Sequence, residues 1–132
     1  MNENVANDNI EQPTRKVLTF ISRKSPYGQN YAKACLDMVL SASVFDQQVN
    51  YVFMDDGVWQ LRRGQEPAAI DSKNLSAAFS ALSLYEVENV YVDAQSLQDR
   101  GLAAEDLVID ATPCTAGHIA SLMRQSDVVF NL

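Results

Sequence analysis

Acidic side chains follow several apolar runs in this sequence, and they are the first residues that could do chemistry. Asp55 and Asp56 come directly after the strand-like run 51–54, while Asp93 and Asp110 follow two later apolar runs. Carboxylates collected at the carboxyl edge of a parallel sheet could hold Mg²⁺ or move a proton. The alternative is that they end strands and keep the following loops in water.

The metal interpretation requires more than these aspartates. In phosphoryl-accepting receiver domains the acidic pair follows the first strand, whereas this sequence has SRKSPYG there. No lysine clearly follows the last predicted strand either. We therefore favour aspartates that end strands, and we predict neither a metal site nor a cofactor.

Cys114 and His118 form a second candidate pair. If residues 112–125 are one helix, these side chains lie one turn apart on the same face. The first turn of a helix lowers the pKa of a thiol, and a neighbouring imidazolium lowers it further. Such a thiolate could act as a nucleophile or carry a persulfide. The simpler interpretation, which we favour, is a small buried cysteine and a surface histidine.

A third candidate is the basic pair Arg23 and Lys24, which lies after the first predicted strand and before a glycine and a helix start. Such a loop could bind an anion. It lacks the spacing G-x-x-x-x-G-K-[ST] of a phosphate-binding loop, so a solvated basic loop is the preferred interpretation. Cys35 lies in the middle of an apolar helical stripe and is predicted to be core.

Aromatic side chains near loops could serve binding rather than catalysis. Tyr27, Trp59 and Tyr85 lie in or next to predicted loops, and aromatic residues are enriched at protein–protein interfaces. Val58 and Leu61 flank Trp59 and add apolar area that a partner could cover. These five residues are the candidate interface. The alternative is that the aromatic rings fold back over the sheet edges.

Five segments of strand-forming residues would position these side chains. They are residues 17–21, 49–54, 89–92, 107–109 and 127–132. The first is a nearly continuous apolar run, which is typical of a strand buried on both faces.

Helical segments alternate with these strands. Residues 31–45 repeat apolar residues at three- and four-residue steps, as an amphipathic helix does. The predicted buried stripe of that helix consists of Tyr31, Ala34, Cys35, Met38, Ala42 and Phe45. Residues 75–84 predict a second helix. A last long helix would begin with Thr112 as N-cap and Pro113 in the first position.

This alternation predicts an α/β fold. Crossover connections between strands imply a mostly parallel five-stranded sheet with helices on both faces, a three-layer sandwich. The tail 1–15 is polar and has too little apolar surface to fold, so we predict a flexible tail followed by a single domain over residues 16–132.

Composition restricts the function classes. The 132 residues carry a net charge of −7, which disfavours direct binding of nucleic acid because phosphates are bound by Lys and Arg. No apolar run is long enough to span a bilayer, and the N-terminus lacks the apolar region of a secretory signal. Two separated cysteines and one histidine form neither a zinc site nor a disulfide framework. We expect a cytoplasmic protein.

The order of segments resembles the TusC/DsrF family of DsrE/DsrF-like proteins. The likeness runs from about Lys16 to Leu132. Its most specific pieces are D-G-V-x-Q-L with the G-Q that follows, and the terminal SDVVFNL. Neither piece is a catalytic signature, so the resemblance is to a subunit recognised by its whole layout, and TusC is the nearest member type.

The resemblance implies a place in a sulfur relay. Members of this family are small α/β proteins that assemble with TusB and TusD, or with DsrH and DsrE, into a heterohexamer that passes persulfide sulfur in the cytoplasm. In the Tus branch the sulfur passes to a TusE-like carrier and ends as the 2-thio group of a tRNA wobble uridine. In the Dsr branch it serves sulfur oxidation.

The resemblance also indicates which thiol is missing here. The sulfur-carrying cysteine belongs to the TusD/DsrE-type subunit, in a loop after a strand, and the matching position in this chain is Asp93, or Ala94 if the loop shifts by one residue. A carboxylate cannot carry a persulfide. We therefore predict a non-catalytic subunit that holds a thiol-bearing partner. Isolated, the chain would form weak homo-oligomers.

Two alternatives stay open. One is a cysteine-dependent sulfurtransferase that acts through Cys114 and His118. The other is a DsrF-type subunit in sulfur oxidation, since the two branches share one layout.

Overall fold

The computed structural model describes residues 15–26, 30–63 and 79–132. Of the predicted tail, only Arg15 is among the described residues. Tyr27 of the candidate interface lies outside them. Among the described residues, no helix combines the length and the apolar character that crossing a lipid bilayer requires.

The described residues form a five-stranded sheet in which every neighbouring pair of strands is parallel. Its strands are β1 (Val17–Ser22), β2 (Gln48–Phe53), β3 (Asn89–Asp93), β4 (Thr112–Cys114) and β5 (Val128–Asn131). Their order across the sheet is β4-β3-β2-β1-β5. The predicted parallel α/β architecture is confirmed, with β4 and β5 as the edges.

Helices lie between these strands along the chain. They are α1 (Tyr31–Val44), a helical segment over residues 79–84, α2 (Ala94–Asp99) and α3 (Ala116–Arg124). A 3₁₀ turn, Asp55–Leu61, follows β2 directly. The chain therefore leaves the carboxyl end of β2 through a compact turn rather than an extended loop.

The two faces of the sheet carry separate apolar clusters, because successive side chains of a strand point to opposite faces. Phe20 and Tyr51 pack on the face covered by α1 and residues 79–84. Ile21 and Val52 pack on the other face, against α3. Helices thus cover both faces, as the prediction of a three-layer sandwich required.

The buried stripe of α1 differs from the predicted one. The buried residues are Ala32, Cys35, Leu36 and Val39. Only Cys35 belongs to both sets, and Phe45 at the end of the helix is exposed. Apolar residues occupy almost the whole circumference of this helix, so periodicity alone allows more than one buried stripe. Packing against β1 and β2 selects one of them.

The fourth strand also differs from the prediction. Within residues 107–109, Leu107 forms only an isolated antiparallel bridge to Arg62, and β4 lies further along the chain at Thr112–Cys114. Pro113 is therefore a residue of an edge strand, where a missing N–H is tolerated. Thr115, not Thr112, caps the following helix, since its side chain accepts from the His118 N–H at 3.1 Å.

The helical segment 79–84 ends at a residue with left-handed backbone geometry. Glu86 has φ 60°, and the Val87 N–H donates to the carbonyl of Leu82 at 2.8 Å, as in a helix C-cap that normally uses glycine. We expect Glu86→Gly to raise the free energy of unfolding by about 1 kcal/mol, because only glycine adopts this geometry without a steric penalty. Urea denaturation would measure the change.

The control for that experiment is Glu88→Gly. Glu88 is also exposed, but it has no left-handed φ, so glycine there should destabilise the protein by increasing the entropy of the unfolded chain. Equal effects of the two substitutions would contradict the argument.

Candidate functional site

The carboxyl rim of the sheet is the candidate site, because parallel strands bring their carboxyl ends to one edge. We define the rim by five residues that end or follow the strands: Arg23, Asp55, Asp56, Asp93 and Cys114. The prediction that Asp55, Asp56 and Asp93 share this edge is confirmed by the register of β2 and β3.

Asp110 does not belong to the rim. It was expected there because residues 107–109 were predicted to be a strand. In the structure Asp110 precedes β4, so it lies towards the opposite edge, beside Leu82 and Val87 in a surface depression.

Asp55 and Asp56 each bind an arginine. The Arg23 Nε donates to the Asp55 carboxylate at 2.7 Å, and the Arg100 guanidinium donates to the Asp56 carboxylate at 3.0 Å. Such partly exposed ion pairs each contribute no more than about 1 kcal/mol. Among the described residues, no three His, Cys, Asp or Glu side chains are grouped so that they could hold a metal ion. These aspartates thus tie the loops of the rim together.

The predicted anion-binding pair is divided between two partners. Arg23 donates to Asp55, and the Lys24 ammonium lies 5.8 Å from the centre of the Tyr31 ring. A cation over an aromatic face is weakly stabilised. The two basic side chains therefore make separate intramolecular contacts at the start of the loop after β1.

The D-G-V-x-Q-L segment fixes the 3₁₀ turn against the end of β1. A Cβ on Gly57 would lie only 2.0 Å from the carbonyl oxygen of Ser22, so no other residue fits without movement. The buried Gln60 amide donates to the Ser22 hydroxyl at 2.7 Å and to the Lys24 carbonyl at 2.9 Å. This segment therefore has a structural explanation: it positions the first loop of the rim.

Val58 and Leu61 were expected to offer apolar area to a partner, and that expectation is wrong. Both side chains are completely buried, and they point from the 3₁₀ turn into the larger apolar cluster of this chain. Trp59 between them is partly exposed and lies 5.6 Å from the Arg62 guanidinium. Tyr85 is exposed. Of the described candidates, only Trp59 and Tyr85 present surface to solvent.

Asp93 ends β3 and caps α2 from a largely buried position. Its carboxylate accepts from the Ser96 N–H at 3.1 Å and from the Ser96 hydroxyl at 2.5 Å. The Ser96 oxygen in turn accepts from the Asp55 N–H at 2.9 Å. Asp93 is 7% exposed, and its carboxylate accepts both hydrogen bonds from Ser96, as a buried polar group requires. Two adjacent strand ends are thereby connected through Ser96.

Cys114 ends β4 directly beside Asp93, its partner in the strand register. The residue is 4% exposed, and its thiol donates to the Thr112 carbonyl at 3.4 Å. Burial raises the pKa of the thiol, and the neighbouring Asp93 charge raises that pKa further. The predicted position in a helical first turn is therefore wrong, and with it the alternative of a thiol with a lowered pKa, whereas the favoured interpretation of a small buried cysteine is confirmed.

His118 is separate from this thiol. It lies in α3, whereas Cys114 belongs to β4, so the two do not share a helical face. The His118 ring packs edge-on against Tyr91, with 5.6 Å between ring centres. The structure shows no hydrogen bond or ion pair between Cys114 and His118 among the described residues. The other thiol, Cys35, is fully buried, and burial raises its pKa to about 11, as expected for a core residue.

We expect Asp93→Asn to accelerate alkylation of Cys114 severalfold at pH 8. The substitution removes the carboxylate charge that disfavours the thiolate, while the amide oxygen can still accept from Ser96. The increase is limited because burial, the larger cause of the raised pKa, stays. Peptide mass spectrometry after timed exposure to iodoacetamide would measure the rate. Asp56→Asn is the matched control, and an unchanged rate in Asp93→Asn would refute the explanation.

Ser96, Gln60 and Arg100 were missed by the sequence reasoning. Ser96 has a recognisable signal, since an Asp three residues before it is the spacing of a helix N-cap. Gln60 and Arg100 have none, because their partners are distant in sequence and become neighbours only in the fold.

The part of the chain that matches known proteins is the part that contains the sheet. The family model of the DsrE/DsrF-like family matches residues 16–132. The solved structure of the ychN protein from E. coli superposes with a TM-score of 0.76 over 90% of this chain and 100% of that one. At 19% identity, that likeness shows a shared fold alone.

Curated relatives are more similar in sequence. The intracellular sulfur oxidation protein DsrF of Allochromatium vinosum is 39% identical, over 88% of this chain and 96% of its own. A TusC homolog of Pseudomonas aeruginosa is 38% identical, over 87% of this chain and 97% of its own. A TusC homolog of Vibrio vulnificus is 42% identical, over 83% and 92%. The similarity to both types of relative therefore extends over nearly the whole length.

Proposed function

This chain belongs to the DsrE/DsrF-like family, and from that premise we propose that it is a non-catalytic subunit of a cytoplasmic sulfur-relay complex. Its partners would be TusB- and TusD-like subunits in a heterohexamer that hands persulfide sulfur to a TusE-like carrier. The sulfur would end in the 2-thio group of a tRNA wobble uridine.

The observation that carries this proposal is the chemistry of the carboxyl rim. Asp93 occupies the position that we match to the sulfur-carrying cysteine of a TusD-type subunit. A persulfide carrier needs an accessible thiolate, which Asp93 lacks. Both cysteines of this chain, Cys35 and Cys114, are buried and have raised pKa values. The proposed role is therefore to hold and orient the reacting partner.

The charge of the chain supports the same role. A net charge of −7 opposes direct contact with tRNA phosphates. Access to tRNA would then come through the carrier rather than through this subunit. Purified alone, the chain would associate weakly with itself.

The test is sulfur transfer by the complex when this subunit has no thiol. The chain with Cys35→Ala and Cys114→Ser would be co-expressed with its TusB- and TusD-like partners, purified by size exclusion, and assayed for transfer of labelled sulfur to the carrier. We expect transfer equal to that of the wild-type complex. Loss of transfer by the assembled complex, or labelled sulfur on the wild-type subunit during turnover, would refute the non-catalytic role.

A second candidate is a DsrF-type subunit in sulfur oxidation. The observation that favours it is the 39% identity to a DsrF protein, which lies between the 38% and 42% identities to two TusC homologs. Deletion of the gene separates the two. Loss of tRNA 2-thiouridine supports the Tus branch, whereas normal tRNA with impaired oxidation of stored sulfur supports the Dsr branch.

A further inference from the structure

The 3₁₀ turn after β2 contains a chemically labile dipeptide, Asp56–Gly57. It is the one Asp-Gly step in the sequence, which contains no Asn-Gly step. In such a step the backbone nitrogen of the glycine can attack the aspartate carboxyl group and form a five-membered succinimide. Glycine makes the attack easy, because it has no side chain to obstruct it and its backbone bends freely. Hydrolysis of the succinimide then gives either aspartate or isoaspartate.

The fold requires the residue that makes this step labile. Gly57 is buried, and a Cβ at this position would overlap the backbone carbonyl of Ser22 in β1. A bulkier residue would slow the cyclisation, but the turn has no space for one. Any restraint on the reaction must therefore come from the conformation of the turn.

Both reacting groups are held by other partners in the native turn. The Gly57 N–H donates to the carbonyl of Met54 at 2.9 Å. The Asp56 Oδ1 accepts from Arg100 twice, from Nε at 3.2 Å and from Nη2 at 3.0 Å. The Asp56 side chain is 61% exposed, so water reaches the carboxylate, whereas Gly57 is buried. Attack therefore requires local opening of the turn and release of the carboxylate from Arg100.

We propose that Asp56–Gly57 is a site of spontaneous isoaspartate formation, and that Arg100 restrains the reaction by holding the Asp56 carboxylate. In the first step the Gly57 nitrogen bonds to the Asp56 Cγ. One carboxylate oxygen leaves as water with the amide proton and a proton from solvent. In the second step water adds to the backbone carbonyl of the succinimide, and its bond to nitrogen breaks. One water is released and one is taken up, so no other reactant is needed.

Isoaspartate is incompatible with the native turn. It places one additional backbone carbon between positions 56 and 57, at the point where the chain is already pressed against Ser22. The following turn residues Val58 and Leu61 are completely buried, so a displaced turn would withdraw them from the core. The modified chain should therefore be less stable than the unmodified one, and separation of the two by chromatography would allow their melting temperatures to be compared.

The experiment measures isoaspartate in the purified full chain during long incubation at pH 7 and 37 °C. Isoaspartate would be quantified by methyl transfer with an isoaspartate methyltransferase and located by peptide mass spectrometry. We expect product at position 56, formed slowly in the native chain and much faster in urea. Arg100→Ala should accelerate the native reaction by up to about fivefold, the factor that corresponds to loss of a partly exposed ion pair. In urea the two chains should react equally.

Arg23→Ala is the matched control. It removes a similar ion pair from the neighbouring carboxylate of Asp55, while the two bonds from Arg100 to Asp56 stay in place. This variant should accelerate the reaction much less than Arg100→Ala does. Arg100→Lys keeps a donor for the carboxylate and should give an intermediate rate.

Asp56→Glu keeps the test decisive if Arg100→Ala fails to fold. Glutamate retains a carboxylate for Arg100 but would have to close a six-membered ring, so the product at position 56 should disappear. Equal rates in the native and urea-unfolded wild type, or in native wild type and Arg100→Ala, would overturn the proposed restraint. Absence of isoaspartate at position 56 even in urea would overturn the site. None of these outcomes depends on the proposed function.

Discussion

Gly57→Ala is expected to destabilise the protein by roughly 3 kcal/mol or more. The added Cβ would lie 2.0 Å from the carbonyl oxygen of Ser22, which is a backbone atom in a paired strand. Neither side can move freely, because Ser22 belongs to the sheet and the Gly57 N–H donates to the carbonyl of Met54 at 2.9 Å. Urea denaturation followed by circular dichroism would measure the loss.

Gly117→Ala provides the matched control. Gly117 lies in the first turn of α3, and its added Cβ would meet only the Thr115 hydroxyl at 3.9 Å. Alanine is the better helix former, so this substitution should stabilise the protein by about 0.5–1 kcal/mol. A Gly57→Ala protein as stable as Gly117→Ala would show that the turn is not pressed against β1.

Asp93→Cys, in a chain that also carries Cys114→Ser, is expected to create a thiol at least about tenfold more reactive than the native Cys114. The two positions are register partners with similarly low exposure, so burial differs little between them. They differ in electrostatics. A thiolate at position 93 would accept from the Ser96 N–H and hydroxyl and would no longer face a carboxylate. Iodoacetamide kinetics from pH 6 to pH 9 would measure the difference.

The same variant tests the position of Asp93 in the proposed relay. Incubation with a persulfide donor should add the mass of one sulfur atom to Asp93→Cys and none to the Asp93→Ser control. A thiol at position 93 that reacts no faster than the native Cys114 would show that the rim is not built to favour a thiolate. The match between Asp93 and the sulfur-carrying position would then lose its chemical support.

Strand number and sheet type could be predicted from the sequence because these properties depend on local pattern. The apolar run that becomes β1 and the SDVVFNL segment that contains β5 are both identifiable without tertiary information. β4 could not be identified in this way. Its three residues include Pro113, and the LVI segment before it has higher strand propensity. Pairing with β3, a long-range contact, decides the location.

The candidate site, like the fold, could be predicted only in part. The positions of Asp55 and Asp93 after their strands followed from the order of elements, since strand ends are local features. The surroundings and the pKa of Cys114 depend on the location of β4, which could not be predicted. The segment forms a strand rather than a helix, which removes the alternative of a reactive thiolate and places the buried thiol, as favoured, beside a carboxylate that was not foreseen. Local helix propensity contains no information about that neighbour.

The strand order has a consequence for biosynthesis. β1 is the first described strand to leave the ribosome, and it lies between β2 and β5, the last described strand. One side of β1 therefore waits, unpaired, until nearly all of the chain has been translated. During that interval its apolar residues are available to chaperones or to wrong partners. Slow translation of the segment between β1 and β5 would prolong this exposure and lower the yield of native protein.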